Sequence, residues 1–137
     1  MTRRGGNTTI RLHAVGERLY AVRGATSVER NSAEAIIAST EALMRELISR
    51  NGLEIAQFVS CIFTSTSDLD AEFPALAARR IGFDRVPLLC AREVEVPGAL
   101  ARVIRVLAHY YAGDGHVARH VYLGAARELR ADLDAAQ

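Results

Sequence analysis

Apolar residues at Ile36, Ile37, Leu43, Met44, Leu47 and Ile48, with Thr40 among them, recur three and four positions apart, which predicts an amphipathic helix. Asn31 or Ser32 can cap it, with Glu34 three residues after Asn31 as in a capping box, and Asn51-Gly52 tolerates the left-handed backbone that ends a helix. Before it, Leu19-Tyr20-Ala21-Val22-Arg23 reads as a strand stopped by Gly24. After a short turn at 54–57, residues 58–63 are nearly continuously apolar and short, as in a strand covered on both faces. Thr64-Ser65-Thr66-Ser67-Asp68 then reads as a polar loop.

Pro74 opens a second helix that runs to Ile81, because proline is tolerated in a first turn, and Gly82 closes it. Residues 86–93 predict a third strand, with Pro87 at its start or on a sheet edge. Residues 98–111 predict a third helix. Leu100, Val103, Ile104 and Leu107 form its core stripe, and Ala101, Arg105, Ala108 and Ala112 a second line at i, i+4, i+7 and i+11. A strand at 119–123 and an alanine-rich segment follow. Residues 1–17 show no period and read as a flexible extension, 18–133 as a single domain, and 134–137 as a tail. Alternating strands and helices predict an α/β (α+β) domain, a mixed β-sheet packed with helices.

Composition narrows the chemistry. Among 137 residues there are 17 arginines and no lysine, which excludes Schiff-base enzymes, lysine-tethered pyridoxal phosphate and the lysine-bearing phosphate loop. The guanidinium that remains is permanently charged and grips carboxylates in pairs of hydrogen bonds. Sixteen acids leave a net charge of +1, so no global basic field draws in nucleic acid. Cys61 and Cys90 lie in apolar runs, and the sequence shows neither a secretory signal nor an apolar stretch near 18 residues. The setting these features suggest is a reducing cytoplasm with no membrane partner.

Four residues stand out. Arg105 is either a solvated charge on an alanine-rich face or a guanidinium aimed into a cleft. Arg23 and Glu93 stand at strand ends, where side chains enter sites or merely form surface pairs. Tyr122 is a strand tyrosine whose hydroxyl needs a partner if buried. His109, His116 and His120, with Asp114, lack the short paired spacing of a metal site, and Cys90 has no obvious histidine base.

The segments Arg23-Gly24-Ala25-Thr26-Ser27-Val28-Glu29-Arg30, Phe73-Pro74-Ala75, Val86-Pro87-Leu88-Leu89-Cys90, Val103-Ile104-Arg105-Val106, Arg119-His120-Val121-Tyr122-Leu123 and Leu129-Arg130-Ala131-Asp132-Leu133 together resemble the monofunctional bacterial chorismate mutases of the trimeric mixed α/β class. The likeness runs from about Tyr20 to Leu133, in order and at similar spacing.

That resemblance implies a homotrimeric pseudo-α/β-barrel with active sites at subunit interfaces, no cofactor and no metal, and rearrangement of chorismate to prephenate. It implies that Arg23 binds a substrate carboxylate, that Arg105 reaches the ether oxygen and a carboxylate, that Glu93 and the Cys90 region meet the ring hydroxyl, and that Tyr122 helps hold a carboxylate. From the adjacent subunit Phe73 and Ala75 would line the pocket, with Arg79, Leu129 and Arg130 near its mouth. Two positions depart from the family pattern: Leu76 where a lysine is frequent, and Ala131 where a proline is usual. The rival readings are a non-catalytic trimeric domain binding small anionic metabolites, and a small hydrolase or tautomerase using Cys90 or a histidine.

Overall fold

The computed structural model describes residues 16–129, so the expectations for residues 1–15, Arg130, Ala131 and the tail lie outside the described residues. Seven elements follow in chain order: β1 (Glu17–Ser27), α1 (Ala33–Arg50), β2 (Phe58–Ser65), α2 (Pro74–Arg80), β3 (Leu88–Arg92), β4 (Val103–Gly113) and β5 (Val121–Leu123). The strands form one mixed sheet in the order β3-β2-β4-β1-β5. β4 runs antiparallel to both β2 and β1, while β3 and β5 join the outer edges in parallel.

α1 forms where its spacing predicts, and Ser32 is the cap: its side chain accepts from the Ala35 N–H at 3.1 Å. Asn31 serves the neighbouring loop instead. Its side-chain oxygen accepts from the N–H groups of Asp70 and Ala71, and its amide nitrogen donates to the Asp70 carboxylate. At the other end of α1, the Asn51 amide donates to Leu47 and Arg119 carbonyls and accepts from the Arg119 N–H, which ties the helix to the approach of β5.

One face of the sheet lies beneath α1 and α2. Val22, Phe63, Val106, Ala108, Tyr110 and Val121 point into this layer against Ile36, Leu43, Met44 and Leu47. Gly24 permits the close approach, because a Cβ there would stand 3.1 Å from Leu43 Cδ1 and 3.2 Å from Val106 Cγ1. Glycine therefore does not stop β1; the strand continues through it to Ser27.

The predicted helix over 98–111 is a strand. Ile104, Val106, Ala108, Tyr110 and Ala112 alternate into the core, whereas Arg105, Leu107, His109 and Tyr111 alternate onto the opposite face. Because that second face also carries apolar residues, the two-residue period is masked and Leu107 completes a false helical stripe. The β-branched and aromatic residues Val103, Ile104, Val106, Tyr110 and Tyr111 suit the pleated backbone. Arg105 consequently shares no line with Ala108 and Ala112, which point into the core. β2 likewise extends through Thr64 and Ser65, residues the sequence pattern assigns to a loop.

Candidate active site

The face of the sheet away from the helices carries a cleft of about 320 Å³. Arg23, Ile62, Thr64, Arg105 and Tyr122 are among the side chains that line it. Strand pairing places them. Tyr122 lies beside Ala25, Ala25 opposite Arg105, and Arg105 opposite Thr64, so four adjacent strands supply one lateral row. Arg23, opposite Leu107, opens the next row and is a diagonal neighbour of Arg105 on the same face. Diagonal pairs sit about 7–8 Å apart at Cα, a separation that two arginine side chains can close around one small anion.

Glu93 follows β3, and its N–H donates to the Ser65 carbonyl at 3.0 Å. This fixes the carboxylate beside β2. Its Oε1 accepts from Nη1 of Arg105, and its Oε2 accepts from Thr64 Oγ1 at 2.7 Å. The side chain of Glu93 is 13% exposed and that of Arg105 is 41% exposed, so the pair is shielded on the carboxylate side and open on the guanidinium side. Arg23 makes no side-chain ion pair among the described residues, while its N–H donates to Nδ1 of His120 at 3.0 Å. Two cations thus face one cleft, and a single carboxylate accompanies one of them.

Other expected site residues lie elsewhere in the same chain. Cys90 and the exposed Phe73 line a second depression, with Ser65, Leu69 and Arg92. Ala75 is buried within α2 and Arg79 is exposed in its last turn, on the helical layer and not at the cleft. Leu129 packs with Ala25, Val103, Tyr122 and Ala126, which sets it beside the same chain's Tyr122. A single chain therefore unites Arg23, Glu93, Arg105, Tyr122 and Leu129, and separates Phe73, Ala75, Arg79 and Cys90 from them.

The histidines do not converge. His109 pairs with Ser60, His116 with the Tyr110 hydroxyl, and His120 with the Arg23 backbone. Among the described residues no group of three or more metal-ligating side chains forms. Burial pushes the Cys61 thiol up to about 12, which leaves it an inert core residue. Burial, reinforced by Tyr20, likewise raises Tyr110 to about 12, and burial with Arg119 nearby lowers His116. Thr64 and Ile62 are cleft-lining residues that the sequence did not single out. Their signal was the continuing alternation of Ile62 and Thr64 beyond the apolar run of β2.

A family model described as chorismate mutase type I matches residues 19–133. The chain is 49% identical over 118 residues to chorismate mutase AroH of Thermus thermophilus, a match covering 85% of this chain and 97% of that one. It is 38% identical over 117 residues to chorismate mutase AroH of Bacillus subtilis, covering 84% and 92% respectively. The solved chorismate mutase of Clostridium thermocellum superposes with a TM-score of 0.73 at 42% identity, covering 80% of this chain and 98% of that structure. None of these likenesses supports a non-catalytic anion-binding domain.

Proposed function

The chain belongs to the type I chorismate mutase family and isomerises chorismate to prephenate, a step of aromatic amino acid biosynthesis, and from that premise we propose how its residues divide the work. The reaction is an intramolecular 3,3-sigmatropic (Claisen) rearrangement, so it needs neither a nucleophile nor a proton transfer. It needs shape and charge. The dianionic substrate must be held folded, with the enolpyruvyl carbon over the ring, and the breaking ether bond loads negative charge onto oxygen. Fixing the conformer lowers the entropic part of the barrier, and a preorganised guanidinium at the ether oxygen stabilises the transition state more than the ground state.

The observation that carries this assignment is the placement of Arg23 and Arg105 on one face of adjacent strands, with Glu93 orienting only one of them. Arg23 grips a substrate carboxylate. Arg105 serves the ether oxygen and a carboxylate, Glu93 receives the ring hydroxyl, and Tyr122 supports a carboxylate. A millionfold acceleration corresponds to about 8 kcal/mol, and one charged donor at the reacting oxygen supplies about 3–4 of it.

We also propose that the working enzyme is a cytoplasmic homotrimer whose sites lie between subunits. Leu19 and Leu89 are exposed on the same open face of the sheet as half-buried Ile62 and Leu107, and Phe73 is 66% exposed at the start of α2. Apolar surface of this kind is an interaction face. Packing subunits through it brings a neighbour's Phe73, Ala75 and Arg79 to the cleft that one chain leaves open, with Arg130 at the mouth. No helix among the described residues is long and apolar enough to cross a membrane.

Mixed assembly tests the shared site. Arg105→Ala and Arg79→Ala proteins, each impaired alone, are unfolded together, refolded and assayed by the decay of chorismate absorbance. Partial recovery is expected, because some sites then draw both arginines from unaltered halves. Activity no greater than that of the separate variants would refute a site built across subunits.

A further inference from the structure

Thr64, on β2, lies directly opposite Arg105 and beside Ala91 of β3, which stands two residues before Glu93. Its hydroxyl donates to Glu93 Oε2 at 2.7 Å while Arg105 Nη1 occupies Oε1. The geometry matters because a carboxylate beside a guanidinium tends to take it in a two-pronged grip, both oxygens against two parallel N–H donors. Such a grip would spend on Glu93 the donors that a substrate anion needs. With Oε2 held by Thr64, Glu93 engages Arg105 through one oxygen. Nε and Nη2 of the guanidinium make no hydrogen bond among the described residues. The arginine is thereby fixed in direction and, as a lining residue of the cleft, keeps donors unspent for an anion.

We infer that Thr64 is a positioning residue for the mutase reaction, holding the Glu93 carboxylate in a one-oxygen contact so that Arg105 stays aimed and available; the inference rests on the proposed roles of Arg105 and Glu93. The hydroxyl carries this role, and the methyl group only fills space. Valine preserves the volume and the strand preference of threonine while deleting the donor, whereas serine keeps the donor.

The test compares Thr64→Val, Thr64→Ala and Thr64→Ser with the unaltered enzyme, and Thr64→Val again in a Glu93→Ala background, measuring kcat, KM and thermal stability. Thr64→Val and Thr64→Ala are expected to lower kcat about ten- to thirty-fold, the scale of one hydrogen bond to a charged group, with KM changed less than about twofold. Thr64→Ser should remain within about threefold of the original kcat. In the Glu93→Ala background Thr64→Val should have no further effect, because the group it positions is gone.

An unchanged kcat with a lowered melting temperature in Thr64→Val would reduce Thr64 to a structural residue and overturn the inference. An equal loss in both backgrounds would overturn it as well, since Thr64 would then act without Glu93. Near-normal activity of Glu93→Ala alone is a separate outcome. It would refute the role of Glu93 itself, and the positioning role with it.

Discussion

Arg105→Ala removes the cation from a carboxylate that is only 13% exposed, and the consequences for catalysis and stability should separate. Loss of a preorganised donor at the reacting oxygen lowers kcat about 100- to 1,000-fold or more, on the scale of oxyanion donors. Stability falls for a different reason: Glu93 keeps the Thr64 hydroxyl but loses its charged partner in a shielded place. Since the arginine is itself 41% exposed and water screens the pair, the loss should be about 1–2 kcal/mol, or roughly 4–8 °C in melting temperature. Adding Glu93→Gln removes the orphaned charge, and the amide oxygen still accepts from Thr64. The double variant should regain most of the lost stability and none of the lost rate. Calorimetry and the decay of chorismate absorbance read the two quantities independently. Near-normal turnover in Arg105→Ala would refute the assignment, and a double variant no more stable than the single one would refute the account of the buried charge.

Two further outcomes follow from the same geometry. Cys90→Ser should retain kcat within about tenfold, because the rearrangement forms no covalent bond to the protein; complete loss in a folded variant would call for thiol chemistry. His116, whose pKa burial and Arg119 hold below the usual value, binds its proton more readily in the unfolded chain. Its stabilising contribution is therefore present above about pH 6.5 and is lost as pH falls from there through the lowered folded value. Urea unfolding at pH 7.5 and 5.5 should show a smaller loss of stability in His116→Gln than in the unaltered protein, and an equal loss would contradict this.

The elements with one buried face and clear caps were legible in the sequence. α1 announced itself through its spacing together with Ser32 and Asn51, and α2 through Pro74 and Gly82. β4 was not legible, because a central strand with a packed face and apolar residues on its second face as well loses its clear alternation. The same cause hid the setting of Arg105: only the sheet shows that it shares a face with Arg23, 82 positions earlier in the chain, and stands opposite Thr64. Thr64 was concealed by composition, since four hydroxyl residues in a row read as a loop. The family likeness named Arg23, Glu93, Arg105 and Tyr122; their physical relation to one another, through four strands and one hydroxyl, came from the fold.

The order β3-β2-β4-β1-β5 also governs how the chain reaches its native state. β1 and β2 are made early but do not pair with each other, because β4 lies between them, and the register joins Glu17 to Gly113. At about 5–20 residues per second, synthesis from the end of β2 to the end of β4 takes about 2–10 s. For that interval both early strands present unpaired edges and apolar faces on the ribosome. Pairings this distant in sequence close large loops and form slowly. The central strand that carries Arg105 is therefore the element that first lets β1 and β2 enter one sheet, and until it emerges their open edges are available for misassembly.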